Sequence, residues 1–221
     1  MRPWLRRLLI IVLLLVWLVI GLVGCRGGEP DPGTYPLIPF PEVLEVEGSS
    51  FYVGGDTRVV LIPSHDQELR GVVDRWARDA RASTGLSLPA VSGGGEEGGN
   101  AILVRLRRDE DEGGAAPVPA GEGLPGTAAE SYEMEVRGNR VTLDAGALPG
   151  IFYGLETLNQ LLAPRGGGVP GSIAIPAADL DDEPRFPYRG MHLDVGRHFF
   201  SASFIKRYLD LLATYKMNAF H

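Results

Sequence analysis

Residues 185–221 read RFPYRGMHLDVGRHFFSASFIKRYLDLLATYKMNAFH, and this stretch decides the fold predicted for the chain. Residues 191–195 alternate apolar and polar side chains, as a β-strand does. Ser203 can cap a following helix, whose apolar residues recur at spacings of three and four: Phe204, Ile205, Tyr208, Leu209, Leu212 and Tyr215. Asn218 breaks that helix, and residues 217–221 have the pattern of a second strand. This order predicts a βαβ unit with parallel strands and a right-handed crossover.

The same stretch carries uncommon residues at fixed offsets: Arg185-Phe186-Pro187-Tyr188-Arg189-Gly190, Leu193-Asp194-Val195, Arg197-His198-Phe199-Phe200, Tyr215-Lys216, Asn218, Phe220 and His221. In these residues it closely resembles the opening of the catalytic barrel in family-20 glycoside hydrolases, the β-N-acetylhexosaminidases. The resemblance implies that residues 185–221 begin a (β/α)8 TIM barrel and supply its first βα unit. In that family the next barrel strand and the acidic residues follow, so we expect this chain to be an incomplete, N-terminal part.

The net charge and composition limit the classes of partner. A length of 221 residues with 44% hydrophobic content can support one or two ordinary domains. The formal charge of −7 argues against a nucleic acid partner, because phosphate binding needs a basic face. An acidic balance of this size is typical of a soluble surface.

Residues 1–25 have the pattern of a targeting segment. Three arginines precede a long apolar run at residues 8–23: Arg2, Arg6 and Arg7. The run ends in Leu22-Val23-Gly24-Cys25, which resembles the lipobox of bacterial lipoproteins and implies lipidation of Cys25. An uncleaved membrane anchor is the alternative, since the run is nearly long enough to span a bilayer. Small Gly24 before the cysteine favours an exported, membrane-anchored lipoprotein of the bacterial cell envelope.

Cys25 is the only cysteine, so no internal disulfide can form. Residues 26–36 are rich in Gly, Pro and acidic side chains, which predicts a tether between the anchor and the first domain.

Residues 37–178 predict an α+β domain with a mixed sheet and helices. Residues 43–46 and 51–53 predict a first strand or hairpin with its turn at Gly48-Ser49-Ser50. Four further segments have strand or hairpin patterns: residues 58–62, 101–106, 132–143 and 172–176. Two glycine-rich stretches, residues 92–100 and 109–127, lack the Gly-Lys-Ser/Thr ending of a phosphate-binding loop and are interpreted as loops.

Two helices are predicted in this domain. Ser64 and Gln67 have the spacing of a capping box, and the helix continues to about Thr84 before Gly85 stops it. Its expected core face is Leu69, Val72, Val73, Trp76 and Ala80. The second helix covers residues 148–162, with one apolar face made of Phe152, Leu155, Leu158 and Leu162.

This domain is also similar to the non-catalytic α+β domain that precedes the barrel in the same hydrolases. The matching residues are Glu130-Ser131-Tyr132, Phe152-Tyr153-Gly154-Leu155-Glu156-Thr157-Leu158 and Gln160-Leu161-Leu162. Related domains precede barrels of other specificities, so this part alone implies a carbohydrate hydrolase. Residues 179–184 fit the boundary between the two domains.

The resemblance implies a substrate-assisted retaining hydrolysis, an exception to the usual pair of catalytic carboxylates. The 2-acetamido oxygen attacks the anomeric carbon, a glutamate acts as acid and base, and a neighbouring aspartate orients the acetamido group. In the family pattern that Asp-Glu pair lies beyond position 221, so no catalytic residue is predicted here and we expect the chain alone to be inactive. No cofactor and no metal are predicted. The implied partner is an oligosaccharide or glycoconjugate that contains N-acetylhexosamine, with the membrane as a second partner through the lipid anchor.

Arg189 matches the family arginine that hydrogen-bonds the hydroxyls of the terminal sugar. A guanidinium suits that role, because its rigid fork of donors can span two adjacent hydroxyls. The alternative is an ion pair with a carboxylate of the barrel. Asp194 is a second, weaker substrate-binding candidate, since barrel sites lie at the C-terminal ends of strands; it can instead brace the following loop with Arg197. His192 and His198 lack the helical spacing of a zinc site and are interpreted as structural.

Two functions stay open at this stage. The first is the N-terminal portion of an exported, lipid-anchored β-N-acetylhexosaminidase. The second is a non-catalytic surface lipoprotein module that binds a glycan or a protein partner. One βα unit cannot close an eight-stranded barrel, so the apolar residues of the last segment would stay exposed. We therefore expect residues 190–221 to be poorly ordered or packed against the first domain, without strong amide-exchange protection throughout.

Overall fold

The computed structural model describes residues 35–46, 48–92, 99–107, 127–162 and 171–221. The strands in chain order are β1 (Val43–Glu45), β2 (Phe51–Val53), β3 (Arg58–Ile62), β4 (Ala90–Ser92), β5 (Ala101–Leu106), β6 (Tyr132–Arg137), β7 (Arg140–Ala145), β8 (Ile173–Ile175), β9 (Ala178–Asp182), β10 (Gly190–Met191) and β11 (Ala219–Phe220). The helices are α1 (Gln67–Thr84), α2 (Leu148–Leu161) and α3 (Ala202–Thr214), with a 3-10 helix at Thr127–Glu130. The predicted segment 1–25, most of the tether and most of both glycine-rich stretches lie outside the described residues.

A seven-stranded mixed sheet forms the centre of the domain, in the order β1-β9-β6-β7-β5-β3-β4. Strands β4, β3, β5 and β7 run parallel, whereas β7, β6, β9 and β1 alternate in direction. Helices α1 and α2 contact each other, and their buried residues share one core with alternate residues of the sheet. The predicted α+β class with a mixed sheet is confirmed.

The first predicted hairpin is wrong. Strand β1 pairs antiparallel with β9, and β2 pairs antiparallel with β8 in a separate two-stranded sheet. Gly48 between them has φ +94, in the left-handed region that favours glycine. Strand β9 also lies in residues that the sequence pattern assigned to a domain boundary, because its acidic residues mask the apolar alternation of Ala178 and Leu180.

Helix α1 begins two residues later than the predicted capping box. Asp66, not Ser64, is the N-cap, and its Oδ1 accepts hydrogen bonds from the amides of Glu68 and Leu69 at 3.0 and 2.9 Å. The carboxylate also carries a negative charge at the positive end of the helix. The predicted C-terminus is confirmed, since Gly85 adopts φ +75 directly after Thr84. The predicted core face is buried at Leu69, Val73, Trp76 and Ala80, with Val72 partly buried against the core.

The hairpin of β6 and β7 and helix α2 are confirmed. Tyr132, Met134 and Val136 alternate inward on β6 and meet the core together with residues of β7. Helix α2 buries more of its circumference than one stripe, because it contacts the sheet, α1, the 3-10 helix and α3.

Residues 190–221 form the predicted βαβ unit, with β10 and β11 parallel and α3 between them. Both strands are shorter than residues 191–195 and 217–221. Ser201 is the N-cap of α3 in place of Ser203, since its Oγ accepts from the amide of Phe204 at 3.3 Å. Of the predicted apolar stripe only Leu212 is buried. The two-stranded unit does not by itself confirm a TIM barrel.

Within the described ranges, no helix is both long enough and apolar enough to span a bilayer.

Candidate functional site

Arg189 lies directly before β10 and is held on all three of its guanidinium nitrogens. Its Nε donates to the carbonyl of Lys216 at 2.8 Å, and its Nη1 donates to the carbonyl of Phe186 at 2.9 Å. Its Nη2 lies 2.6 Å from Oε2 of Glu130 in an ion pair. The Arg189 side chain is 15% exposed and that of Glu130 is 1% exposed. The carboxylate partner comes from the N-terminal domain and not from the barrel segment.

Asn218 connects the same two residues. Its Oδ1 accepts from the backbone N–H of Arg189 at 2.9 Å, and its Nδ2 donates to Oε1 of Glu130 at 3.2 Å. Oε1 of the buried carboxylate therefore accepts a hydrogen bond from Asn218, whereas Oε2 has, among the described residues, only the ion-pair contact with Arg189. Asn218 immediately precedes β11, so this side chain ties the starts of the two parallel strands to the first domain.

The aromatic ring of Tyr153 on α2 lies under the guanidinium, with Cζ of Arg189 5.5 Å from the ring centre. This distance is within the range of cation–π contacts. Burial raises the pKa of the Tyr153 hydroxyl to about 12; the negative charge of Glu130 raises it as well, and Arg189 opposes the shift. The Tyr153 hydroxyl therefore stays protonated at neutral pH.

A second buried cluster joins the segment to the sheet at Lys216. This residue follows α3 with φ +56, and its Nζ donates to Oδ2 of Asp182 at 2.6 Å and to Oη of Tyr132 at 2.8 Å. Tyr132 donates to the same Asp182 oxygen at 2.9 Å and lies 2.7 Å from Oγ1 of Thr157. The antiparallel register of β6 and β9 pairs Tyr132 with Asp182, which explains why both reach the same point.

The cluster perturbs two pKa values in directions that burial explains. Burial lowers the pKa of Lys216, and the adjacent Asp182 charge opposes this shift. Burial and, second, the Asp182 charge raise the pKa of Tyr132 well above its usual range. Lys216 and Asp182 are both more than four-fifths buried, so their charges are compensated inside the protein.

Asp194 lies in the loop after β10 and does not contact Arg189. Its Oδ1 accepts from the amides of Gly196 and Arg197 at 2.9 and 3.1 Å, and its Oδ2 pairs with the Arg197 guanidinium. The hydrogen bonds from Arg197, first from its backbone and then from its side chain, hold the pKa of Asp194 below the usual range. The side chain is one-third exposed. These contacts are those of the alternative considered from sequence, in which Asp194 and Arg197 brace the loop; its role as a sugar contact stays a prediction.

The histidines fall at the exposed edge of the βαβ unit. Nδ1 of His192 and Nδ1 of His221 lie 3.0 Å apart, and their rings stack at 5.2 Å between centres. His198 is exposed. Throughout the described part of the chain, no group of three or more His, Cys, Asp or Glu side chains is placed to hold a metal ion.

Sequence reasoning missed Glu130, Asp182 and Lys216 as charged partners. In the sequence, Glu130 belongs to the family-like motif Glu130-Ser131-Tyr132, and Lys216 belongs to the matching pair Tyr215-Lys216. Asp182 lies in residues 179–184, which are interpreted as a domain boundary. A buried charge has no periodic signature, and its partners here lie 59, 34 and 84 positions away. The one available signal was an acidic residue two positions before an alternating strand.

Comparison with known families assigns both parts of the chain. The pattern described as glycosyl hydrolase family 20, domain 2, matches residues 34–183. The pattern described as the catalytic domain of the same family matches residues 186–221.

Individual relatives agree with this assignment. A β-N-acetylhexosaminidase of Cellulomonas fimi is 33% identical over 186 residues, which are 84% of this chain and 33% of that protein. A β-hexosaminidase of Porphyromonas gingivalis is 33% identical over 188 residues, 84% of this chain and 22% of that protein. The chain therefore spans a third or less of the length of these two relatives.

Solved structures share the fold. A mutant Streptomyces plicatus β-hexosaminidase in complex with its product GlcNAc has a TM-score of 0.65 and 30% identity over 88% of this chain and 35% of that one. An exo β-N-acetylglucosaminidase of Vibrio harveyi in complex with N-acetylglucosamine has a TM-score of 0.64 and 28% identity over 85% of this chain and 25% of that one. The resemblance predicted from the sequence is thus confirmed at the level of the family: the chain belongs to glycosyl hydrolase family 20.

Proposed function

We propose that this chain is the N-terminal portion of a β-N-acetylhexosaminidase that removes terminal N-acetylhexosamine by substrate-assisted retaining hydrolysis. One observation carries the proposal: the two parts of family 20, domain 2 and the catalytic domain, follow each other in this chain at residues 34–183 and 186–221. Relatives that match most of the chain are named β-N-acetylhexosaminidase or β-hexosaminidase. The catalytic Asp-Glu pair of the mechanism would lie after position 221.

Arg189 is the proposed substrate contact of this portion. Its guanidinium is anchored through Lys216, Phe186 and Glu130, which fixes its plane at the start of the first barrel strand. Nη1 has one further N–H beyond its bond to Phe186, and a donor held in place in this way can bind a sugar hydroxyl with little loss of side-chain entropy. Asp194 stays a weaker candidate because its carboxylate is already occupied by Arg197 and two amides.

The assignment of functions to the segments of the chain is also a proposal. Residues 1–25 would be a lipoprotein signal, residues 26–36 a tether, residues 37–178 a non-catalytic α+β domain and residues 185–221 the start of the barrel. Lipidation of Cys25 would retain the enzyme at the bacterial cell envelope.

Lipidation has a direct test. Cells that express the protein are grown with radiolabelled palmitate, and the protein is isolated. We expect label in the wild type and none in Cys25→Ala. Label-free wild-type protein that still sediments with membranes would support an uncleaved anchor instead.

The activity is tested on the protein translated from the complete gene, with chromogenic N-acetylglucosaminide and N-acetylgalactosaminide substrates. We expect turnover of at least one of them, and none by the 221-residue chain alone. Arg189→Lys should raise KM roughly tenfold, because a lysine cannot reproduce the planar guanidinium that these three contacts hold in place. A complete protein that binds glycans without cleaving them would favour the non-catalytic surface module, and turnover by the short chain would disprove our assignment of the missing acids.

A further inference from the structure

We propose that Glu130, in the 3-10 helix of the N-terminal domain, is a positioning residue for Arg189 in the completed active site. This inference rests on the proposed function, since it assumes that Arg189 contacts the sugar. It assigns to the non-catalytic domain a role in substrate binding, exerted through a single carboxylate.

The first argument is the cost of burying Glu130 alone. The side chain is 1% exposed, and a buried carboxylate without a cationic partner is strongly destabilising. Arg189 is the cation that compensates it, at 2.6 Å. The pairing works in both directions, because the guanidinium also cannot turn away without leaving the carboxylate unpaired.

The second argument is geometric. Arg189 has contacts on Nε, Nη1 and Nη2, and only the last of these is with a side chain that can be replaced, since the other two are backbone carbonyls. The backbone N–H of Arg189 is fixed by Asn218, which itself donates to Glu130. The carboxylate therefore lies at the centre of the contacts that set both the backbone and the head group of Arg189.

The third argument separates this pair from simple domain docking. The Lys216–Asp182 pair lies in the same contact between the segment and the sheet, and Asp182 touches Lys216 and Tyr132 but not the Arg189 guanidinium. Asp182 therefore holds the segment without touching the Arg189 head group, although the backbone carbonyl of its partner Lys216 accepts from Nε of Arg189. Glu130 contacts the guanidinium directly. Variants of the two carboxylates provide matched controls.

The experiment uses the protein from the complete gene with four variants: Glu130→Gln, Arg189→Lys, the double variant of these two, and Asp182→Asn. Steady-state kinetics on a chromogenic N-acetylglucosaminide and the Tm are measured for each. We expect Glu130→Gln to raise KM roughly tenfold with a smaller change in kcat, since it removes binding and not chemistry. Asp182→Asn should lower the Tm and leave KM within about twofold. The double variant should lose no more kcat/KM than Arg189→Lys alone, because Glu130 would act only through Arg189.

Three outcomes would overturn the inference. They are an unchanged KM in folded Glu130→Gln, a KM raised equally by Asp182→Asn, and additive losses in the double variant. If Glu130→Gln does not fold, Glu130→Asp keeps the charge and withdraws it by one methylene; it should raise KM at a nearly unchanged Tm, and an unchanged KM would reject the inference. An inactive wild type would remove the proposed function and this inference together, whereas an active wild type with insensitive Glu130 variants would remove the inference alone.

Discussion

Lys216 is a buried cation whose partners all come from the sheet domain. Its Nζ reaches Asp182 and Tyr132, and the two charged side chains are 7% and 11% exposed. Removing one member of such a pair leaves the other charge buried without compensation. We expect Lys216→Met to lower the free energy of unfolding by about 3 kcal/mol, measured by urea denaturation.

The same reasoning predicts a partial rescue. Asp182→Asn added to Lys216→Met removes the stranded charge and leaves an amide that can still accept from Tyr132, which keeps Thr157 as its second partner. The double variant should recover more than half of the lost stability. If the stability losses of the two single variants simply add in the double variant, the pair is not coupled. The short Nζ–Oδ2 contact would then contribute little to the free energy of unfolding.

The raised pKa of Tyr153 predicts that the folded state loses stability at alkaline pH. That pKa is about 12 in the folded chain and 10 as the ordinary value, so the folded state keeps a proton that the unfolded state releases. A raised folded-state pKa contributes stability that is complete below pH 10 and is lost as the pH rises towards 12. Tyr153→Phe should flatten the fall in urea midpoint between pH 10 and pH 11.5. Tyr52→Phe, which removes the hydroxyl of a half-exposed tyrosine, is the matched control variant.

At the scale of elements, alanine substitution of two helical glycines should have opposite effects on stability. A Cβ at Gly150 of α2 would lie 2.1 Å from the carbonyl oxygen of Ser131 and 2.9 Å from Cβ of Ala145, and the first of these is rigid backbone. A Cβ at Gly71 of α1 would meet nothing within 4 Å. We expect Gly150→Ala to destabilise by about 3 kcal/mol and Gly71→Ala to stabilise by about 1 kcal/mol, since alanine is the better helix former. Thermal unfolding of the two variants tests this, and similar Tm shifts in both would contradict it.

The same elements show where sequence reasoning succeeds. The buried faces of α1 and β6 follow from periods of 3.6 and 2, which depend only on neighbouring residues. Helix starts are less certain, because several residues in a row can cap: Asp66 does so instead of Ser64, and Ser201 instead of Ser203. Strand partners are the least predictable, as the pairing of β1 with β9 joins segments more than 130 positions apart.

The sequence predicted only part of the candidate site, because contacts between distant residues leave no local pattern. Arg189 was found through its place in a family pattern, but Glu130 is fixed by contacts that only the folded chain brings together. A local pattern predicts whether a residue lies in a helix or in a strand. A buried ion pair also requires the correct strand registers of β6, β9 and the βαβ unit at the same time. Its charges are also indistinguishable in sequence from those on a solvated face.

At the scale of the whole molecule, the stability of the 221-residue chain should be uneven. Helix α2 has eight buried residues, whereas α3 has only Leu212, and side chains of its apolar face such as Phe204 and Leu209 are more than two-fifths exposed. A helix with little buried surface opens locally without unfolding the rest. The Lys216 and Arg189 pairs attach the ends of the βαβ unit to the sheet domain. Helix α3 adds an exposed Arg75–Asp210 pair at 4.0 Å and a bond from Gln160 to its last carbonyl, that of Thr214, at 2.9 Å.

Amide hydrogen exchange of this chain should therefore show α3 exchanging at least roughly a hundredfold faster than α2, a difference of about 3 kcal/mol in opening free energy. Lys216→Met should raise exchange at β11 and α3 further while leaving the centre of the seven-stranded sheet unchanged. In the protein from the complete gene, additional barrel strands would cover the apolar face of α3 and slow its exchange. Equal protection of α2 and α3 in the 221-residue chain would mean that the βαβ unit is a stable part of the first domain, and the view of it as the exposed beginning of a barrel would have to be abandoned.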